Sequence, residues 1–238
     1  MTKARICRNT LRRGAAGWIT AVSGASVLFG GICLAVAPLS PANAKAEAAM
    51  STTTVRQTEN EAGDAVADAV RTEVSTDIGL VPAAAFKPSA TAPRPATGDQ
   101  IAALLDPATD QIVVLNLRGA QVLAALERSV SFAPQPSAGY LQISGIRFSY
   151  DLRRDSGKRV VSATIDGKPL EAARIYKVAT TRPLANGQQG YFQIWDKDQI
   201  AQASGTPKTL AEALTDLAKT RGGTLSPMLD GRITAVGQ

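Results

Sequence analysis

Between Glu59 and Val74, apolar side chains fall at Ala62, Ala65, Val66, Ala69, Val70 and Val74. Steps of three and four place them on one face of an α-helix. Most are small, so this helix is expected to lie close against a sheet. The same rhythm predicts a second helix over Gly119–Val130 and a third over Thr209–Ala218. A short helix over Asp99–Leu105 ends at Asp106-Pro107. Alternating or β-branched runs predict strands over Asp77–Val81, Gln111–Leu117, Tyr140–Tyr150, Arg159–Ile165, Ile175–Thr180 and Arg232–Val236.

Turn chemistry fits between these segments. Asp166-Gly167 reads as a two-residue hairpin turn, because both central positions of such a turn need positive φ. Pro82–Gly98 carries Pro82, Pro88, Pro93 and Pro95 among alanines and predicts little regular structure. Lys45–Val55, rich in Ala, Ser and Thr, reads as a flexible lead-in. Helices and strands alternate without strict βα repetition. The expected fold class is therefore α/β, bordering on α+β: a single domain with a mixed β-sheet flanked by helices.

Charge changes the picture only at the N-terminus. The chain has 26 Lys and Arg against 20 Asp and Glu, but five basic residues and no acid lie before Lys45. Beyond Ala44 the charges nearly balance, which excludes the bulk basicity of a nucleic-acid binder. Residues 1–44 combine the basic Lys3–Arg13 stretch, an uncharged run from Gly14, and Ala42-Asn43-Ala44. Two readings stand: a signal peptide cleaved after Ala44, or an uncleaved membrane anchor formed by residues 14–37. Both place the body in a secreted, periplasmic or otherwise extracytoplasmic setting.

The candidate chemistry is sparse. The chain has no histidine, and Cys7 and Cys33 both lie in the leader. His- and Cys-based metal sites, triads and thiol nucleophiles are excluded from the body, and no catalytic residue, metal or cofactor is expected. Asp151, Asp155 and Asp166 interleave with Arg153, Arg154 and Arg159, a pattern of surface ion pairs. Tyr140, Phe148 and Tyr150 have the spacing of sheet faces, and Trp195 reads as a half-buried sheet residue.

Four ordered blocks carry a family resemblance. Gly139-Tyr140-Leu141-Gln142-Ile143-Ser144-Gly145-Ile146, ending in Tyr150-Asp151, matches a G-[FY]-L-Q-[VI]-[SG]-G-[IL] strand ending in Y-D. Leu117-Arg118-Gly119 through Leu126-Glu127-Arg128-Ser129-Val130, the Arg159–Leu170 hairpin, and Leu184-Ala185-Asn186-Gly187-Gln188-Gln189-Gly190-Tyr191 follow the same family pattern. Residues 56–238 thus resemble the 5′-nucleotidase C-terminal domain. In that family, a separate N-terminal metallophosphoesterase domain holds two metals with His-containing ligand sets, and the C-terminal domain supplies the nucleoside pocket.

The resemblance also locates what has changed. The two rings that clamp the base would fall at Ala108 and Pro183. The family's N-G-G-G-I-R reads Pro82-Ala83-Ala84-Ala85-Phe86-Lys87, and its pocket acid is Gln189. Arg56 matches an arginine on the phosphate side. The candidate ligand-binding residues are therefore Arg56, Lys87, Asn186 and Gln189, with Arg56 and Lys87 forming a residual site for a small anion. Asn186-Gly187 also reads as turn chemistry. The functional expectation is a secreted, non-catalytic binding or interaction module with a degraded nucleoside pocket. The alternative is the substrate-capping subunit of a split 5′-nucleotidase, its metallophosphoesterase partner being a separate chain. Either way the expected partner is another protein, with no nucleic acid, and with membrane contact only if the leader stays uncleaved.

Overall fold

The computed structural model describes residues 48–201 and 206–237. The leader assigned to residues 1–44 lies outside them. In chain order the elements are β1 (Met50–Ser51), α1 (Glu61–Glu73), β2 (Ile78–Pro82), β3 (Thr91–Ala92), α2 (Gly98–Ala102) and β4 (Ile112–Arg118). Then come α3 (Gly119–Ser129), β5 (Leu141–Ser144), β6 (Arg147–Asp151), β7 (Val160–Ile165) and β8 (Lys168–Pro169). The chain continues with β9 (Ile175–Thr181), α4 (Arg182–Ala185), α5 (Leu210–Thr220) and β10 (Ile233–Val236).

Among the described residues the expected mixed α/β fold holds, its β-structure divided into two four-stranded sheets and a two-stranded β1-β3 pair. The first runs β4-β9-β2-β5, with β9 and β2 parallel and the outer pairs antiparallel. The second runs β10-β6-β7-β8, with β10 parallel to β6. The cause is Gly145. The run Tyr140–Tyr150, expected as one strand, breaks there at φ +77°, and its halves join different sheets. A side chain at this position would put its Cβ 2.1 Å from the Asp77 carbonyl oxygen. Asp166 and Gly167 take φ of +50° and +75°, the hairpin turn their types require.

Helix α1 covers the first sheet with small residues. Asn60 caps it, its side-chain oxygen accepting from the N–H groups of Ala62 (3.1 Å) and Gly63 (3.2 Å). The absent side chain at Gly63 leaves room for Gln142, which is fully buried. Gln142 donates to the Val55 (2.9 Å) and Thr58 (2.8 Å) carbonyls and accepts from the Asn60 N–H (3.0 Å). This satisfies a buried amide and holds the segment that enters α1. The lead-in expectation is corrected here, since Met50 and Val55 are buried and Met50 pairs with Ala92. Trp195 is likewise corrected. It lies outside the sheets, buried, stacked on Tyr191 at 5.0 Å between ring centres.

Tyr140, Phe148 and Tyr150 are core residues, as their spacing implies. Of the interleaved charges, Asp151 pairs with Arg153 at 2.7 Å, whereas Arg159 donates instead to the carbonyls of Val130 and Ala133.

The end of the chain is fastened to α1. Glu59 accepts from the backbone N–H groups of Asp230 (2.9 Å), Gly231 (3.0 Å) and Ile233 (3.0 Å). Arg232 grips Asp68 with two bonds (2.7 and 2.9 Å), Asp230 at 3.0 Å, and the Ile143 carbonyl at 3.1 Å. Beside them Asp64 is buried. Desolvation pushes its carboxyl up to about 8; Arg232 opposes this, and Glu59, Asp230 and Asp68 add to it.

Helix α5 packs on α1 and α2 through Leu210, Ala213 and Leu214. Lys208 at its entrance bridges Glu73 (2.9 Å) and Asp216 (2.5 Å), and Lys219 also reaches Asp216. Hydrogen bonds from Lys208 and Lys219 hold the Asp216 carboxyl down at about 2. A depressed folded-state value gives stability that is present above the unfolded value and lost as pH falls through the folded one. In melts between pH 5 and pH 2, Asp216→Asn should lose stability less steeply with falling pH than the parent. Some slope should remain, because Arg153 holds Asp151 down at about 2 in the same window.

Candidate ligand-binding cleft

Three connections meet at one end of the first sheet. The turn after β2 contributes Ala84 and Ala85, the loop after α2 contributes Asp106, Pro107 and Asp110, and the segment after β9 contributes Pro183, Gln188 and Gln189. They enclose a cleft of about 220 Å³. Small-molecule sites typically occupy roughly 300–1,000 Å³, so this one is cramped.

Local chemistry fixes the last wall. Thr181 caps α4, its hydroxyl accepting from the Leu184 N–H at 3.4 Å, and Pro183 sits in the first turn, where its missing N–H costs nothing. Gly187 then turns with φ +87° against Phe192, where a Cβ would come within 2.6 Å. Gln189 itself has φ +60°. The strain is held from below. Arg128 of α3 donates to the Gln189 carbonyl at 2.6 Å, and its guanidinium lies 5.1 Å from the Phe132 ring centre. Tyr191, fully buried, donates to the Gly139 carbonyl at 2.8 Å.

The cleft is acidic. Its lining has two carboxylates, Asp106 and Asp110, and no basic side chain. Burial raises the Asp110 carboxyl above its ordinary value. A phosphate placed here would meet two like charges and no counter-ion.

Among the sequence-derived candidates, only Gln189 lines the cleft. Arg56 is half-buried, its carbonyl accepting from the Ser137 N–H, and Lys87 is exposed, with Nζ 2.9 Å from the Ala103 carbonyl. Asn186 is exposed and closes α4 by donating its N–H to the Arg182 carbonyl. Pro183 lines the cleft, and Ala108 follows the lining residue Pro107. Sequence reasoning missed Arg128, Asp106 and Asp110. Arg128 carried no signal beyond its place on a predicted helix.

A model of the 5′-nucleotidase C-terminal domain matches residues 40–196. The chain belongs to this family. The family relatives include the 5′-nucleotidase of Homo sapiens, 30% identical over 145 residues, which cover 58% of this chain and 24% of the human one. The snake venom 5′-nucleotidase of Naja atra is 33% identical over 128 residues, covering 50% and 23% respectively. The chain thus spans about a quarter of the length of these relatives. Among solved structures, the 5′-nucleotidase precursor of Thermus thermophilus superposes with a TM-score of 0.63 at 26% identity, covering 79% of this chain and 37% of that one. The NAD nucleotidase of Haemophilus influenzae gives 0.62 at 16% identity and attests the fold alone. The family assignment identifies a 5′-nucleotidase C-terminal domain scaffold.

Arg128 is the buttress of this cleft wall. Arg128→Ala should lower unfolding stability by about 2 kcal/mol, the scale of a charged hydrogen bond lost to a strained carbonyl. Chemical denaturation read by tryptophan fluorescence checks this, because Trp195 stacks on Tyr191 in the same wall.

Proposed function

We propose that this chain is a secreted, non-catalytic binding or interaction module on a 5′-nucleotidase C-terminal scaffold whose nucleoside pocket has degraded. The observation that carries the reading is the cleft itself: a proline and an alanine at the clamp positions, two carboxylates, no cation, and about 220 Å³ of space. Aromatic stacking contributes roughly 1–3 kcal/mol per base, so loss of both rings costs a factor of tens to tens of thousands in affinity. The 238 residues contain no histidine, so the imidazole ligands of a two-metal phosphoesterase have no source within them.

Isothermal titration of the purified protein with adenosine and with AMP should give no binding tighter than millimolar. Micromolar AMP binding would overturn the proposal and favour the capping subunit of a split nucleotidase. The variant Ala108→Phe/Pro183→Phe should bind adenosine at least tenfold more tightly than the parent in the same titration.

The extracytoplasmic assignment draws support from the composition of residues 1–44 and from the venom 5′-nucleotidases among the relatives. Among the described residues no helix is long and apolar enough to cross a membrane. Mass spectrometry of the native protein should find Lys45 at the N-terminus. Retention of residues 14–37 would instead mean an anchor.

A further inference from the structure

Asp64 is 1% exposed, and among the described residues neither of its carboxylate oxygens has a hydrogen-bond partner. A buried carboxyl left in that state is costly, whichever its protonation, unless a partner satisfies it. The nearest cation does not. Arg232 spends its guanidinium on Asp68, Asp230 and the Ile143 carbonyl, and its Nε stays 3.8 Å from Asp64 Oδ1. Arg147 takes the other oxygen of Asp230 at 3.1 Å. Four carboxylates, of Glu59, Asp64, Asp68 and Asp230, therefore face two guanidinium groups.

Three of those carboxylates converge. Glu59, Asp64 and Asp230 each offer one oxygen, and these oxygens all lie within 4.8 Å of one another. One ion with metal–oxygen bonds of about 2.4 Å spans that distance, the bond length of calcium. Glu59 is anchored by three backbone N–H groups and Asp64 sits on a capped helix, so both oxygens are held in place before any ion arrives. A polar cleft of about 430 Å³, lined by Asp68, Asp166, Asp230 and four arginines, meets the cluster at Asp230. It leaves water room beside Asp230 to complete a coordination shell.

We infer that Glu59, Asp64 and Asp230 form a calcium site joining the start of α1 to the turn before β10. The site is separate from the family cleft, with which it shares no lining residue. Magnesium suits it less, because it demands a near-ideal octahedron at about 2.0–2.1 Å and gives up its own water reluctantly.

Thermal melting of the full chain in EDTA and in 5 mM calcium chloride tests the site, together with calorimetric titration by calcium and by magnesium. The expected result is one calcium per chain, a melting-point rise of about 3–6 °C, and magnesium binding at least tenfold weaker. Asp64→Asn is close to isosteric. It should remain folded, melt at the same temperature with and without calcium, and show no calcium heat. Asp230→Asn should weaken calcium binding at least tenfold, and it decides the matter alone if Asp64→Asn does not fold. No calcium-dependent shift or heat in the parent, or calcium affinity unchanged in the folded variants, overturns the inference.

Discussion

Glu59 is the residue on which the arrangement of the two sheets rests. It stands just before the first helix, yet its carboxylate accepts from three backbone N–H groups more than 170 residues later. A buried acceptor of this kind satisfies donors that would each cost about 1–3 kcal/mol if orphaned. With the Arg232–Asp68 clamp, it fastens β10, and through β10 the second sheet, to the helix that covers the first. The two sheets thus share a fixed joint made of charge and backbone, alongside their apolar contacts.

The cleft at the end of the first sheet follows a different logic. Its walls are as firmly built as a binding site requires: a capped α4, a glycine turn locked against Phe192, and a strained Gln189 held by Arg128. The walls enclose a small acidic space. Pro107 and Pro183 line it, and Asp106 and Asp110 repel anions. Such rigidity is set apart from ligand chemistry, because function depends on a few side chains projecting from a fold that other forces maintain.

Much of the fold was legible because the signals were local. The small-residue face of α1, the alternation in β4 and β9, and the Asp166-Gly167 turn each need only a few neighbouring residues to read. The errors were non-local. Gly145 looks like any strand glycine until the Asp77 carbonyl is seen beside it, and Met50 looks like linker until Ala92 pairs with it. Trp195 failed for the same reason, since its partner Tyr191 lies in an irregular segment without periodicity. For the cleft, family resemblance pointed to Pro183, Ala108 and Gln189. The acids at 106 and 110, the Arg128 support and the Glu59–Asp230 cluster arise only when distant segments meet.

The second sheet closes on β8, a strand of two residues, Lys168 and Pro169. An outer strand normally exposes a row of free N–H and C=O groups on which another extended chain can lie down. Here that row is very short, proline lacks one of its donors, and both residues are exposed, with lysine adding a charge. This margin offers almost no template for fibril-like stacking or strand exchange on the β8 side of the sheet.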